Sequence, residues 1–127
     1  MKIWFAILSL FFCLACMAAD KPKSTVSPVS NEDRKNAEKE FKNAQELQRA
    51  GKPEDALIAV LKAQELMPGN VEFMTMGEML RQQIVGEHME AGNHLAAAGD
   101  PKGAAQRFRM ALAIDPQNSN AAQRLHD

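Results

Sequence analysis

The sequence predicts an all-α fold, an antiparallel helix-turn-helix solenoid, and three observations carry that expectation. The first is a pattern written twice. Residues 51–68 read GKPEDALIAVLKAQELMP and residues 99–116 read GDPKGAAQRFRMALAIDP, with Gly, Pro, Ala, Ala and Pro at the same spacings in both. The second is periodicity: apolar residues return every three or four positions, as one face of a helix requires, and not in the alternation of a strand. The third is punctuation, since Pro residues flank these stretches and never interrupt them. Self-similarity at fixed spacing marks a repeat array, in which stacked neighbours bury a shared core and leave a surface for holding another protein.

In chain order, residues 1–19, MKIWFAILSLFFCLACMAA, set a single Lys before an almost unbroken apolar run. The run is short for a spanning helix and right for an export signal, which implies secretion across a bacterial-type inner membrane. Its processing is open between two readings. Cleavage after Ala18 or Ala19 releases a domain without cysteine, because Cys13 and Cys16 both lie in the leader. The other reading takes Cys16, behind Leu14 and Ala15, as the lipidated first residue of a lipoprotein, with Cys13 standing where that processing site normally has Leu. An uncleaved anchor is a third. Residues 20–30, DKPKSTVSPVS, are polar, hold two Pro and show no apolar period, so they read as a flexible linker, such as a membrane tether needs.

The helical domain is expected over 31–127. Before Gly51, Ala44 and Leu47 fall at helical spacing and Phe41 supplies the apolar anchor, while Glu40 and Asn43 occupy places where apolar residues are expected. Gly51 and Gly99 suit the left-handed conformation that ends a helix. Pro53 and Pro101 then suit the first helical position, which needs no N–H. Asp100 is a good N-cap for the second copy and Lys52 a poor one for the first. Ala56, Leu57, Val60, Leu61, Ala63, Leu66 and Met67 line one helix, and Ala104, Phe108, Ala111, Leu112 and Ile114 the other. Pro68 and Pro116 forbid continuation. Between them, Asn70 caps one long helix over 71–98, with Phe73, Met76, Leu80 and Ile84 on its apolar face and a length of roughly 40 Å. Gly77, Gly86 and Gly92 each cost about 1 kcal/mol in that helix, which leaves a break near Gly86 as the alternative. Asn118 caps a C-terminal stub, with Ala121, Ala122 and Leu125 placed to cover the last apolar face.

These residues resemble the tetratricopeptide repeat. Ala56, Val60, Ala63 and Pro68 match the second half of its consensus in the first copy, and Ala104, Phe108, Ala111 and Pro116 match it in the second. The resemblance implies repeat one over about 37–70, an inserted helical extension over 71–84, repeat two over about 85–118 and a capping stub over 119–127. Gly92 and Leu95 fall on the family's small and apolar first-helix positions, and His88 replaces the usual aromatic. Two repeats fall short of the roughly three that usually stand alone. That shortfall points to self-association, to a partner, or to a chain that is the front piece of a longer protein.

In this family the first helices line a concave groove. Carried over residue by residue, that implies Glu38, Phe41, Gln45, Gln48 and Arg49 from repeat one, with Gly86, Met89, Asn93, Ala96 and Ala97 from repeat two. Phe41 and Met89 stand where the family's carboxylate clamp has Lys, so the groove is expected to suit a mixed apolar and polar helix or extended peptide. Met74, Met76, Met79 and Met89 read either as core or as an adaptable binding surface.

Charge excludes several classes. The net charge is −1 with both signs interspersed, and no basic stripe or stacking aromatics point to nucleic acid. Glu90 and His94 share a helix face and His88 does not, so His88, Glu90 and His94 make a weak metal set. No nucleophile motif or Gly-rich phosphate loop appears. The expectation is therefore an exported, non-catalytic protein-binding scaffold of the bacterial envelope. It needs no cofactor, and it touches membrane only through a lipid anchor at Cys16. The signal, two repeats and long middle helix also resemble the N-terminal region of secretin-type secretion proteins, which extends the expectation to assembly of a secretion or pilus machine.

Overall fold

The structure is a computed structural model that describes residues 29–126. The leader, and with it the alternatives at Ala18, Ala19 and Cys16, lies outside the described residues, as does most of the linker. Five helices follow one another, α1 (Asn31–Arg49), α2 (Pro53–Leu66), α3 (Val71–Ala97), α4 (Pro101–Ile114) and α5 (Ser119–Arg124), and the described residues hold no strand. None of these helices is long and apolar enough to cross a membrane.

Each boundary has a local cause. Helix α1 begins at Asn31, ahead of the repeat start expected near Ala37, because Ser30 is its N-cap. The Ser30 hydroxyl accepts from the Asp33 amide at 2.9 Å and donates to the Asp33 carboxylate at 2.7 Å. The C-termini of α1 and α3 close identically. Gly51 and Gly99 sit at φ +72° and +81°, and their amides donate to Gln48 and Ala96. The next amides, of Lys52 and Asp100, reach back to Leu47 at 3.0 Å and Leu95 at 2.9 Å, which completes a Schellman motif in each. Pro53 and Pro101 open α2 and α4. Asp100 accepts from the Gly103 amide at 2.9 Å, whereas Lys52 makes no side-chain cap. Asn70 accepts from the amides of Glu72 and Phe73 and starts α3, which runs helical through Gly77, Gly86 and Gly92.

Successive helices pack in pairs, α1 on α2, α2 on α3, α3 on α4 and α4 on α5. The larger core holds Ala37, Phe41 and Ala44 of α1, Ala56, Leu57, Val60 and Ala63 of α2, and Phe73, Met76, Leu80 and Ile84 of α3. Small residues bring the backbones close at two places. A Cβ on Gly77 would lie 3.4 Å from Val60 and 2.5 Å from the Gln64 amide, and a Cβ on Gly92 would lie 2.5 Å from the Phe108 ring. A smaller cluster of Val85, Ala111 and Ala121 joins α3, α4 and α5, and Ile114 packs against both clusters. The core is therefore uneven, with most of its apolar volume between α1, α2 and the first half of α3.

Candidate functional site

Helix α1 runs parallel to α3, because each is antiparallel to α2 between them. Phe41 and Phe73 join the two, with ring centroids 4.6 Å apart and planes tilted by 34°. Such a pair stabilises by about 1 kcal/mol beyond the area it buries. It also forms the floor of a cleft. Above it, Gln45, Gln48 and Arg49 of α1 face Glu72, Thr75, Met76 and Met79 of α3 across a space of roughly 430 Å³. The same crevice continues past Phe41 to Glu38, Lys42, Met67 and Asn70 at the start of α3.

The cleft is apolar along its base and polar along its rim. Met76 is buried, Met79 is half exposed, and Gln45 and Gln48 are partly exposed with amides that both donate and accept. Its charges are mixed: Glu38, Lys42 and Glu72 stand toward the start of α3, and Arg49 stands at the other end beside Met79. Among the described residues, none of the four is engaged in an ion pair. A bound helix or strand would therefore meet charges of both signs at one end and a guanidinium at the other.

Of the residues read from the sequence, Phe41, Gln45, Gln48 and Arg49 come together in this cleft, and Glu38 lies in its extension. Met89 and Asn93 do not join them. Met89 is partly buried against Val85 and Ala111, and Asn93 is exposed farther along α3. Gly86, Ala96 and Ala97 are exposed as well. The wall opposite α1 comes instead from the first half of α3, through Glu72, Thr75, Met76 and Met79. The physical reason is sequence proximity. The four-residue turn over 67–70 returns the chain at once, so the start of α3 lands beside α1 while Met89 stands about 24 Å beyond Phe73 along the helix axis. The legible signal was Phe73, the one aromatic of 71–84, which needs a partner and finds Phe41.

The residues weighed as metal ligands are dispersed. His88 is buried on the α4 side of α3, whereas Glu90 and His94 are exposed. Among the described residues, no group of three or more His, Cys, Asp or Glu is placed to hold a metal ion. Set against family models, curated proteins and solved structures, the chain matches none of them.

Proposed function

We propose that this chain is a tetratricopeptide-like, non-catalytic protein-binding module of the bacterial cell envelope, exported and either periplasmic or anchored through Cys16. It takes a partner helix or extended peptide in the cleft between α1 and the first half of α3. The observation that carries this reading is the cleft itself, an apolar base of Phe41, Met76 and Met79 under a rim of amides and one hydroxyl. Methionines adapt to irregular apolar surfaces, and amides satisfy whichever polar groups the partner brings. The resemblance to secretin-type N-terminal regions extends the proposal to a partner in a secretion or pilus machine.

The test is photo-crosslinking in intact cells from residues placed at Gln45 and Thr75, with the exposed outer-face residue Ile58 as control. The reading expects envelope proteins captured from the first two positions and lost with Gln48→Glu/Met79→Glu at unchanged helicity. Equal capture from Ile58, or capture that survives the double variant, would move the binding surface elsewhere. Phe41→Ala is unsuited to this purpose, because Phe41 is 8% exposed and belongs to the core.

A further inference from the structure

Helices α3 and α4 hold five methionines, and burial sorts them. Met76 is 7% exposed and belongs to the larger apolar cluster, and Met89 is partly buried against the smaller one. Met74, Met79 and Met110 are exposed and belong to neither cluster. The fold therefore does not rest on the thioethers of these three. Of them, Met79 lines the cleft between α1 and α3. Met74 lies in the adjoining crevice, whose lining residues all come from α3, and Met110 is on α4. Met79 is 53% exposed, so solvent reaches its sulfur beside the apolar base that Met76, one turn back, keeps dry.

An exposed thioether is open to small oxidants in a way that a buried one is not. With hydrogen peroxide the sulfur lone pair takes one oxygen, so that an S–O bond forms as the O–O bond breaks. The proton on the transferred oxygen passes to the departing hydroxide, and water leaves. Sulfur gives up two electrons and the peroxide takes them. The product is a polar sulfoxide whose oxygen accepts hydrogen bonds. At Met79 the donors stand on the facing wall. They are the amides of Gln45 and Gln48 and the guanidinium of Arg49, which has no ion pair among the described residues. Met74 has no opposing wall, because its crevice runs from Val71 to Gln82 along one helix. The same chemistry at Met74 therefore changes a surface, and at Met79 it changes the cleft.

We propose that Met79 is an oxidation site for hydrogen peroxide, and that its sulfoxide, held by Arg49 and Gln48 from across the cleft, bridges α3 to α1 over the Phe41 and Met76 base and shuts partners out. The inference rests on the cleft as the binding surface. Oxidation acts on binding and leaves the fold in place, because Met76 stays covered.

The test treats the full chain, as the cell processes it, with hydrogen peroxide and then removes the oxidant. Fragment-ion mass spectrometry is expected to find sulfoxide at Met79 roughly tenfold sooner than at Met76, at unchanged helicity. Capture of envelope proteins from a photo-crosslinker at Gln45 is expected to fall by roughly tenfold or more after treatment. The same loss is expected in Met74→Leu/Met110→Leu, whereas Met79→Leu, apolar but without sulfur, keeps its capture. The bridge is read without any partner, by nuclear magnetic resonance of isotope-labelled methionine methyls. Peroxide is expected to move the Met76 signal in Met74→Leu/Met110→Leu and not in Met79→Leu. Oxidation of Met79 as slow as that of Met76, loss of helicity, an unmoved Met76 signal, or capture that survives complete conversion of Met79 would each overturn the inference alone. An untreated chain that captures nothing from Gln45 overturns the cleft reading and this inference with it, so the untreated sample tells the two failures apart.

Discussion

At the scale of single residues, the three glycines inside α3 look alike in sequence and differ in space. A Cβ on Gly92 would press into the Phe108 ring at 2.5 Å, while one on Gly86 would meet nothing within 4 Å. Gly92→Ala is therefore expected to destabilise the fold by about 1–3 kcal/mol through overpacking, and Gly86→Ala to stabilise it by up to about 1 kcal/mol through helix propensity. Urea unfolding of the two variants checks both signs. Lys52 makes a similar case. Its backbone, at φ −117° and ψ 69°, nearly repeats that of Asp100 at −106° and 79°, yet it offers the first turn of α2 no acceptor. Lys52→Ser is expected to raise stability by about 1 kcal/mol, visible as a higher thermal midpoint. Serine suits the site better than aspartate. The Asp100 carboxylate lies where Gly103 has no Cβ, and Asp55 at the matching place has one.

At the scale of elements, the Gly-Pro and Asn signals placed the starts of α2, α3 and α4 correctly, because each is satisfied by bonds within a few residues of itself. The start of α1 was less legible. Ser30 and Asp33 make a reciprocal cap, but Ser30 was read with the polar linker that precedes it. The pairing of α3 with α1 was not legible from the repeat spacing, since the length of a helix shifts which part of it lies beside its neighbour without changing its periodicity. Residues such as Thr75 and Met79 therefore entered the cleft in place of Met89 and Asn93. The uneven core has its own consequence for the elements. Helix α5 has six residues and one buried side chain, Ala121, against the broad core shared by α1 and α2. Amide hydrogen exchange is expected to be fastest in α5, intermediate in α4 and slowest around Val60, Leu80 and Ile84. Ala121→Asp should loosen α5 and the end of α4 while leaving protection in α2 largely unchanged, and the same experiment reports it.

At the scale of the whole molecule, stability rests on apolar packing and helix ends, with very little on charge. The one ion pair among the described residues, Arg81 with Glu78, is exposed and contributes at most about 1 kcal/mol. The thermal midpoint is expected to change by no more than about 4 °C between low salt and about 0.5 M sodium chloride, which differential scanning calorimetry checks. The all-helical class was open to reading because period and punctuation agree along the chain. Which flank of α3 stays in water depends on where α4 stops, a matter of relative length that no local pattern encodes. The length of α3 also works as a ruler with a phase. One uninterrupted helix carries both cores, so a single residue removed between them would draw them about 1.5 Å closer and turn one against the other by about 100°. Ile114, which packs on both, would lose one of its two seats. Changes in the length of this helix that keep the fold should therefore come in steps of about seven residues, and the reach of the molecule should vary in increments near 10 Å, not continuously.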